Sequence, residues 1–514
     1  MLVKTFGSSV FGVEAISITI EVNVSMGQGY SIVGMPDIAV RESIQRTESA
    51  IKSNGYYMPR TKVVVNLAPA DIRKSGSAFD LPIAMAVLAA SEQISRPERL
   101  NDFVIMGELS LDGSIQPIKG ALPIAIQTRK EGFFGLIVPK ENEREAGMVS
   151  NLNVYGVSHI TELVAFFENE SCIEPVVVNT REEFFHNQYD FDIDFSDVKG
   201  QENIKRALEI AAAGAHNAIL IGPPGAGKTM LAKRLPTILP PLSLQEALET
   251  TKIHSVAGKL PIGSSLISKR PFRSPHHTIS DIALVGGGSN PQPGEISLAH
   301  NGVLFLDELP EFKRTVLEVM RQPMEERIVN ISRAKMSLEF PSNFMLIASM
   351  NPCPCGYFNH PDKECTCLPG TVPKYLNKVS GPLLDRIDLH VEVTPVPYSE
   401  LSNNLYKTEN SESIRARVLK AREIQTIRFK EFTGVYANAH MSSKMVREIC
   451  ILSSVGENLL KRSMEKLNLS ARAYDRILKV SRTIADLENS SDIKSEHLAE
   501  AINYRNLDRD GWTG

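Results

Sequence analysis

The chain has 514 residues, of which 42% are hydrophobic and 23% are charged, and its formal net charge is −4. This length implies several domains, and the composition is ordinary for soluble globular proteins. The charge excludes a generally basic surface, so any nucleic-acid contact must be local. The opening MLVKTFGSSVFG lacks the apolar segment of a signal peptide, and no apolar run is long enough to span a membrane. We therefore expect a cytoplasmic protein without a membrane partner.

Residues 1–170 show the pattern of an α/β domain. Ile16–Val24 and Lys62–Leu67 read as strands, and Ile38–Ser53 and Leu81–Ala90 read as helices. The clearest sequence signature is GELSLDGSIQPIKG, followed by IVPKEN. Three stretches resemble the proteolytic domain of Lon proteases, which has a ribosomal S5 domain 2-like fold: Val63–Asp80, Gly107–Gly120 and Leu136–Asn142.

The Lon resemblance implies a serine–lysine dyad, but this sequence does not keep it. The serine would lie near Ser75 or Ser77, and the lysine would fall near Ile124, which cannot serve as a base. Lys119 occupies what is usually a glycine of the turn. A serine without its base is a weak nucleophile, so we expect a protease-like fold without proteolysis, used as a structural or assembly module.

A phosphate-binding loop follows residues 171–193, which lack clear periodicity and are interpreted as a linker. Ala218–Ile221 is typical of a buried parallel strand, and the next residues read GPPGAGKT, which fits G-x-x-x-x-G-K-[ST]. A chance glycine-rich turn is the alternative, but a helix pattern follows directly. Lys228 is expected to reach the β/γ-phosphates of ATP, and the Thr229 hydroxyl to take a Mg²⁺ position. The predicted nucleotide-binding residues are Gly222, Pro223, Pro224, Gly225, Ala226, Gly227, Lys228, Thr229 and Met230.

A second apolar strand ends in two acids, in the sequence GVLFLDE at Gly302–Glu308. A carboxylate at that strand end can hold the Mg²⁺ of a P-loop nucleotide, which assigns this role to Asp307. The next acid can deprotonate an attacking water, so Glu308 is the predicted general base. ATP hydrolysis is therefore favoured over binding alone, with ATP and Mg²⁺ as the small-molecule requirements.

Between these motifs lies a long insert that a compact α/β core does not need. It includes RPFRSPHHTIS at Arg270–Ser280 and the glycines at Gly286–Gly288. His276 and His277 are candidates for metal ligands or catalytic groups, although such a pair is more often a hydrogen-bonded loop element.

After the second motif, Glu311–Met320 reads as a helix. Arg327–Arg333 and Lys335–Phe340 read as two short strands of a hairpin, which places Arg333 and Lys335 close to its tip. By composition alone, a solvated charged turn is the favoured interpretation. The next apolar strand, Phe344–Ala348, leads to Asn351.

Four cysteines follow Asn351 directly. Cys353 and Cys355 form one C-x-C pair, and Cys365 and Cys367 form another. Four thiolates suit tetrahedral Zn²⁺, which would pin a loop between catalytic elements. His360 is an alternative ligand, and free or oxidised thiols are the alternative to metal.

Arg386 precedes the last apolar strand of the core, Leu389–Val393, and a structural ion pair with Asp388 is one interpretation of it. We place the core at 194–396 and an all-α lid at 397–514. Ser470 is a plausible N-cap that puts Arg472 in the first turn of a helix. A basic run is interpreted as a solvated helix face: Arg415, Arg417, Lys420 and Arg422. The predicted lid helices are Ile414–Phe429, Ser443–Leu452, Glu457–Leu467, Ala471–Leu487 and Glu496–Tyr504.

The order of these parts resembles the ComM/YifB family, a magnesium-chelatase-like branch of AAA+ proteins, over nearly the whole chain. The most specific wording is SIVGMPDIAVRES at Ser31–Ser43 and SARAYDRILKVSRTIADL at Ser470–Leu487. The resemblance implies a P-loop AAA+ core, a parallel sheet with helices on both faces. It further implies that Asn351 is the polar sensor 1 residue, Arg386 an arginine finger acting on a neighbouring subunit, and Arg472 the sensor 2 arginine of the lid.

The same resemblance implies that the hairpin carrying Arg333 and Lys335 touches DNA, and that the protein is a hexameric, ATP-driven branch-migration helicase acting on single-stranded or branched DNA in natural transformation. Two alternatives stay open: a chelatase-like ATPase that remodels a protein or metal-insertion partner, and a Lon-like protease or non-enzymatic scaffold. Stimulation of ATPase activity by DNA separates the first reading from the second. Casein degradation would favour the protease, and absence of ATP hydrolysis the scaffold.

Overall fold

The structure is a computed structural model that describes residues 1–261, 263, 266–288, 291–333, 336–360, 362–395, 408–467 and 469–505. Lys335 lies outside these residues, and Arg333 is described by its backbone alone. Among the described residues, no helix combines the length and the hydrophobicity needed to cross a bilayer.

The amino-terminal part is built on a seven-stranded sheet in the order β3-β4-β2-β1-β5-β8-β9. Strands β1 and β2 are antiparallel from Leu2 opposite Asn23 to Phe11 opposite Glu14, whereas β5, β8 and β9 run parallel to β1. A short β6–β7 ribbon stands apart from the sheet. The strands are β1 Leu2–Phe11, β2 Glu14–Ser25, β3 Tyr30–Val33, β4 Lys62–Ala68, β5 Phe103–Ile105, β6 Glu108–Leu109, β7 Ile115–Gln116, β8 Gly135–Pro139 and β9 Asn153–Val157.

Helix α2 fills the core of this part. All of its residues are buried, because the sequence DLPIAMAVLAA has no polar face after its first residue. One helix, α6, lies in the stretch interpreted as a linker, where it buries Phe184. The helices are α1 Ile38–Ser53, α2 Asp80–Ala90, α3 Ala121–Glu131, α4 Glu143–Gly147, α5 Ile160–Phe167 and α6 Thr180–His186.

The central part contains a five-stranded parallel sheet in the order β11-β14-β17-β10-β18. Strands β10, β14 and β17 are buried throughout, which explains why they read as continuous apolar runs. Because β10 lies between the later strands β17 and β18, the chain order reverses beside it, and such a point is a common ligand site. The strands are β10 Ala218–Ile221, β11 Phe272–Arg273, β12 Gly286–Gly287, β13 Gln292–Pro293, β14 Val303–Leu306, β15 Ile328–Arg333, β16 Met336–Pro341, β17 Met345–Met350 and β18 Leu389–Glu392.

The helix predicted over Glu311–Met320 is wrong in its extent. Leu309–Glu311 forms a 3₁₀ turn with Pro310 in it, Phe312 is extended, and helix α12 covers only Arg314–Glu318. The remaining helices of this part are α7 Glu202–Gly214, α8 Lys228–Arg234, α9 Leu244–Ala257, α10 Asp281–Val285, α11 Glu295–Leu298, α13 Arg321–Glu326, α14 Thr371–Leu376 and α15 Gly381–Leu384.

The described residues of the carboxy-terminal part, 408–467 and 469–505, are mainly helical and share one hydrophobic core with the central sheet. The predicted N-cap is confirmed, since the Ser470 hydroxyl accepts the amide of Ala473 at 3.2 Å. Asp194, at the start of the central part, accepts the amide of Ser411 at 3.1 Å and so joins the two parts. The helices are α16 Ser411–Arg428, α17 Ser443–Ile449, α18 Ser454–Leu467, α19 Ala471–Leu487 and α20 Ser495–Asn503.

The basic run on α16 is only in part the solvated face expected from the sequence. Arg417 pairs with Glu209 of α7 at 2.5 Å, and Arg415 lies over the ring of Tyr189 at 4.4 Å from its centroid. Arg422 donates to a backbone carbonyl at 3.0 Å, and Lys420 is exposed. The three arginines of this run are thus paired with residues elsewhere in the chain, although the Arg417 side chain stays 41% exposed.

Candidate nucleotide-binding site

The phosphate-binding loop lies at the carboxyl end of β10, where α8 begins with Lys228. Glycine is required at Gly222, since a Cβ there would lie 2.3 Å from the carbonyl oxygen of Val393. Gly225 and Gly227 have φ of 77° and 83°, which lets the loop turn back before the helix. A helix amino terminus behind a glycine-rich loop presents backbone N–H groups to an anion.

Lys228 connects this loop to the end of β17. Its Nζ donates to the carbonyl oxygens of Gly222 at 2.7 Å and Pro223 at 2.9 Å, and to Asn351 Oδ1 at 3.0 Å. Burial lowers the pKa of Lys228, while the carboxylates of Asp307 and Glu308 oppose that shift. Two residues predicted separately, Lys228 and Asn351, therefore meet.

The residues predicted to hold Mg²⁺ also meet. The Thr229 hydroxyl donates to Asp307 Oδ2 at 2.7 Å. The other carboxylate oxygen of Asp307 accepts from Ser349 of β17. Hydroxyl and carboxylate oxygens are the ligands that Mg²⁺ prefers, so the donor set fits this ion. The sequence reasoning missed Ser349, whose role depends on the pairing of β14 with β17.

Glu308 follows Asp307 in a left-handed backbone conformation with φ of 54°. This region is sparsely populated for a residue with a side chain, and such residues cluster at functional sites. The Glu308 side chain is 57% exposed, and its Oε2 lies 3.5 Å from His277 Nδ1. The predicted base thus stands at the mouth of the site, beside the phosphate-binding loop.

The four cysteines converge on one point, with their sulfur atoms within 4.8 Å of one another. The Cys353–Cys355, Cys355–Cys365 and Cys353–Cys365 sulfur distances are 3.3, 3.6 and 3.8 Å. A tetrahedron of sulfur atoms 2.3 Å from Zn²⁺ has edges of about 3.8 Å, so the four thiols fit this ion. His360 is not part of this cluster, and its Nδ1 accepts the amides of two neighbouring residues at 3.0 and 3.1 Å.

The cysteine loop also touches the phosphate-binding loop. A Cβ on Gly356 would lie 2.5 Å from Pro224 Cδ, so the two loops pack as closely as a glycine permits. Cys353 is buried and lies two residues after Asn351. The cysteine loop therefore supports both Asn351 and the phosphate-binding loop.

Arg386 and Arg472 lie at the opposite end of the sheet. Asn217, which precedes β10, donates through its side chain to the Arg386 carbonyl at 3.2 Å. Arg386 donates to Glu325 at 2.7 Å, and Arg472 lies 4.0 Å from Asp385. Within one chain, neither arginine meets the phosphate-binding loop.

The ion pair considered between Arg386 and Asp388 does not form. Asp388 instead pairs with Arg476 at 2.9 Å and with His216 at 3.4 Å. Arg386 also lines a surface pocket with Glu325, Glu326 and Asn330. Its buried guanidinium is therefore paired with Glu325 and not with Asp388.

Comparison with known proteins agrees with this geometry. The protein-family model "Magnesium chelatase, subunit ChlI" matches residues 194–401. A second family model of subunit ChlI matches residues 20–142, and a model of the ChlI C-terminal part matches residues 408–505. Protein YifB of Escherichia coli K12 is 44% identical over 97% of this chain and 96% of its own length. Competence protein ComM of Haemophilus influenzae is 42% identical over 99% of this chain and 98% of its own length. The chain belongs to the ComM/YifB family of magnesium-chelatase-like AAA+ proteins.

This ComM/YifB protein is also similar to Lon protease 2 of Bacillus subtilis, which is 32% identical over 28% of this chain and 27% of its own length. Ser77 donates to the carboxylate of Glu108, and Lys74 donates to the carbonyl of Pro69. Ile124 is buried at the position where the lysine of a dyad is expected. The described contacts thus pair the Ser77 hydroxyl with an acid and not with a lysine.

The predicted hairpin is present as β15 and β16, paired from Ile328 opposite Pro341 to Arg333 opposite Met336. It packs beside the insert hairpin β12–β13, since a Cβ on Gly286 would lie 3.2 Å from Ile331 Cδ1. A DNA contact at its tip stays a prediction, because Lys335 lies outside the described residues.

Proposed function

We propose that this AAA+ ATPase is a cytoplasmic DNA motor, a hexameric ring that drives branch migration of DNA in natural transformation and recombination. The observation that carries the ATPase part is the meeting of Thr229 with Asp307 at 2.7 Å and of Lys228 with Asn351 at 3.0 Å. The DNA part is supported by identity over nearly the full length to a protein named for competence.

The residues at the carboxyl end of the sheet have separate tasks in hydrolysis. Backbone amides of the loop and Lys228 bind the phosphates, while Glu308 accepts a proton from the attacking water. Asn351 offers an amide that orients the water or the γ-phosphate. Thr229 and Asp307 would hold Mg²⁺, which supplies neutralisation of phosphate charge when bound.

The positions of the two arginines support the proposed ring. Arg386 and Arg472 lie at the sheet end opposite the phosphate-binding loop, so either one reaches a nucleotide only from a second copy of the chain. An arginine supplied in trans stabilises the charge of the phosphoryl-transfer transition state. A closed ring gives every site such a partner.

DNA would be held through its phosphates by the hairpins. Arg333 ends β15, Lys335 follows it in the sequence before β16 begins, and the hairpin packs beside the β12–β13 hairpin of the insert. Basic side chains that contact phosphate bind without sequence preference. Zn²⁺ on the four cysteines would fix the loop that supports Asn351, a structural role.

The test is the ATPase rate of the purified protein alone, with single-stranded DNA and with branched DNA. We expect stimulation by DNA, and unwinding of a branched junction that requires ATP hydrolysis. ATPase activity that no DNA changes, together with an intact junction, would contradict the DNA role and leave the ATPase assignment standing.

A second candidate function is remodelling of a metal-insertion partner. It is favoured by the matches to models of magnesium chelatase subunit ChlI over three parts of the chain. Stimulation of the ATPase by a chelatase partner subunit and porphyrin, instead of by DNA, would select this function.

A further inference from the structure

The loop that follows β11 brings one histidine to the predicted catalytic base. His277 Nδ1 lies 3.5 Å from Glu308 Oε2. Among the described residues, His277 is the one side chain that pairs with this carboxylate. The contact joins the edge strand of the sheet to the strand end that carries the base, two segments that are 31 residues apart in the sequence.

The ring of His277 packs edge to face against Phe312, with the two ring centroids 6.4 Å apart. Phe312 is buried and belongs to the turn that begins at Glu308. The histidine and the base are therefore held by the same packed turn.

The loop itself is anchored at both ends. Arg273, which ends β11, makes two hydrogen bonds to Glu295 at 2.6 and 2.7 Å. Ser280 caps α10 by accepting the amide of Ala283 at 3.2 Å. A side chain carried by an anchored loop can hold another side chain in place, as a supporting residue must.

Glu308 needs such a support. Its side chain is 57% exposed, and its backbone has a left-handed conformation with φ of 54°, outside helix and strand geometry. An exposed carboxylate samples several rotamers, whereas proton transfer requires the base to stay within hydrogen-bond reach of the water. His277 lies within ion-pair distance of one Glu308 carboxylate oxygen, and closing this contact to a hydrogen bond would restrict the rotamers and leave the other oxygen to take the proton.

We propose that His277 is a positioning residue that orients the Glu308 carboxylate for ATP hydrolysis. The inference rests on the proposed ATPase function. The adjacent His276 has a different task, since its Nδ1 contacts the Thr278 hydroxyl at 2.9 Å within the loop. The two histidines thus provide a matched pair of variants in one loop.

The experiment measures kcat and KM for ATP in the full-length protein carrying His277→Ala, His277→Asn or His276→Ala. We expect His277→Ala to lower kcat about 10- to 100-fold with KM unchanged, because misplacement of a catalytic group by about 1 Å costs about 100-fold. His277→Asn keeps a donor and should recover part of kcat. His276→Ala should keep the wild-type kcat.

A wild-type kcat in His277→Ala would overturn the inference, and so would an equal loss in His276→Ala, which would indicate general loosening of the loop. If His277→Ala does not fold, His277→Asn decides: reduced but measurable kcat with unchanged KM supports positioning, and failure to fold in both shows a structural role. Absence of ATP hydrolysis by the wild-type protein contradicts the proposed function itself, before any variant is compared.

Discussion

Asn217 holds Arg386 beside the start of β10, through a hydrogen bond of 3.2 Å from its side-chain amide to the Arg386 carbonyl. The phosphate-binding loop begins at the other end of that strand, at Gly222. A strand of four residues is about 13 Å long at about 3.3 Å per residue. Within one chain, the Arg386 backbone and the phosphate-binding loop therefore lie at opposite ends of β10.

Arg386→Ala should lower ATPase activity by about 1,000-fold or more, the usual contribution of an arginine finger, while ATP binding persists. Mixing Arg386→Ala subunits with Glu308→Gln subunits should restore measurable turnover, because some interfaces then combine an intact base with an intact arginine. The assay compares the mixture with each variant alone. A strictly monomeric protein with full activity would contradict shared sites.

Glu308→Gln and Lys228→Ala should separate turnover from binding. The glutamine cannot accept a proton, so we expect a loss of about 100- to 10,000-fold in kcat with nucleotide binding retained. Lys228→Ala removes the link between the loop and Asn351, and it should lose both binding and turnover. Fluorescent ATP binding and phosphate release measure the two quantities. Normal turnover in Glu308→Gln would remove this residue as the base.

Zinc should co-purify at about one ion per chain, since four thiolates complete one tetrahedral site. Removal of the metal should weaken ATP binding before the protein unfolds, because Gly356 packs against Pro224 of the phosphate-binding loop. Elemental analysis and ATP titration before and after chelation check this expectation. Protein purified reduced and without chelator that contains no metal would count against the site.

The nucleotide site was predictable from the sequence because its parts are local. A strand, a glycine-rich loop and a helix follow each other directly around Lys228, and Asp307 ends an apolar strand. The contact of Thr229 with Asp307 follows because the carboxyl ends of parallel strands lie at one edge of a sheet.

Contacts made by tertiary packing were not predictable in this way. The pairing of Arg417 with Glu209 joins residues from two parts of the chain, and a helical charge pattern contains no information about such a partner. The contact of His277 with Glu308 depends on the placement of β11 at the sheet edge. The break before α12 follows from a 3₁₀ turn that apolar periodicity does not show.

The hairpin tip should couple ATP hydrolysis to DNA. Arg333→Ala combined with Lys335→Ala should preserve basal ATPase, because the catalytic groups lie on other elements, and should lower DNA stimulation and junction unwinding together. Because phosphate contacts make DNA binding sensitive to salt, their loss should leave the remaining binding of the double variant less sensitive to salt. Lys420→Ala, at an exposed lysine of the lid, is the control. Wild-type unwinding by the double variant would show that the hairpin is not the DNA contact, and the insert around Gly286–Gly288 would become the better candidate.

Asp388 should be the residue that keeps the lid on the sheet. Its carboxylate is fully buried between Arg476 of α19 and His216, and it also accepts the Asn217 amide at 3.1 Å. Burial by itself raises the pKa of Asp388, but Arg476 and His216 outweigh it and hold that pKa below its ordinary value. The group is therefore ionised at neutral pH, and its removal leaves buried donors without an acceptor.

Asp388→Ala should lower the free energy of unfolding by about 3–5 kcal/mol, the usual effect of breaking a buried ion pair. The matched variant Asp385→Ala removes a partly exposed carboxylate 4.0 Å from Arg472, and it should cost less than about 1 kcal/mol. Hydrogen exchange of the α19 amides measures the opening of the lid without requiring that the whole chain unfold in two states. Faster exchange confined to Asp388→Ala supports this role. Equal protection of α19 in both variants would show that hydrophobic packing alone holds the lid.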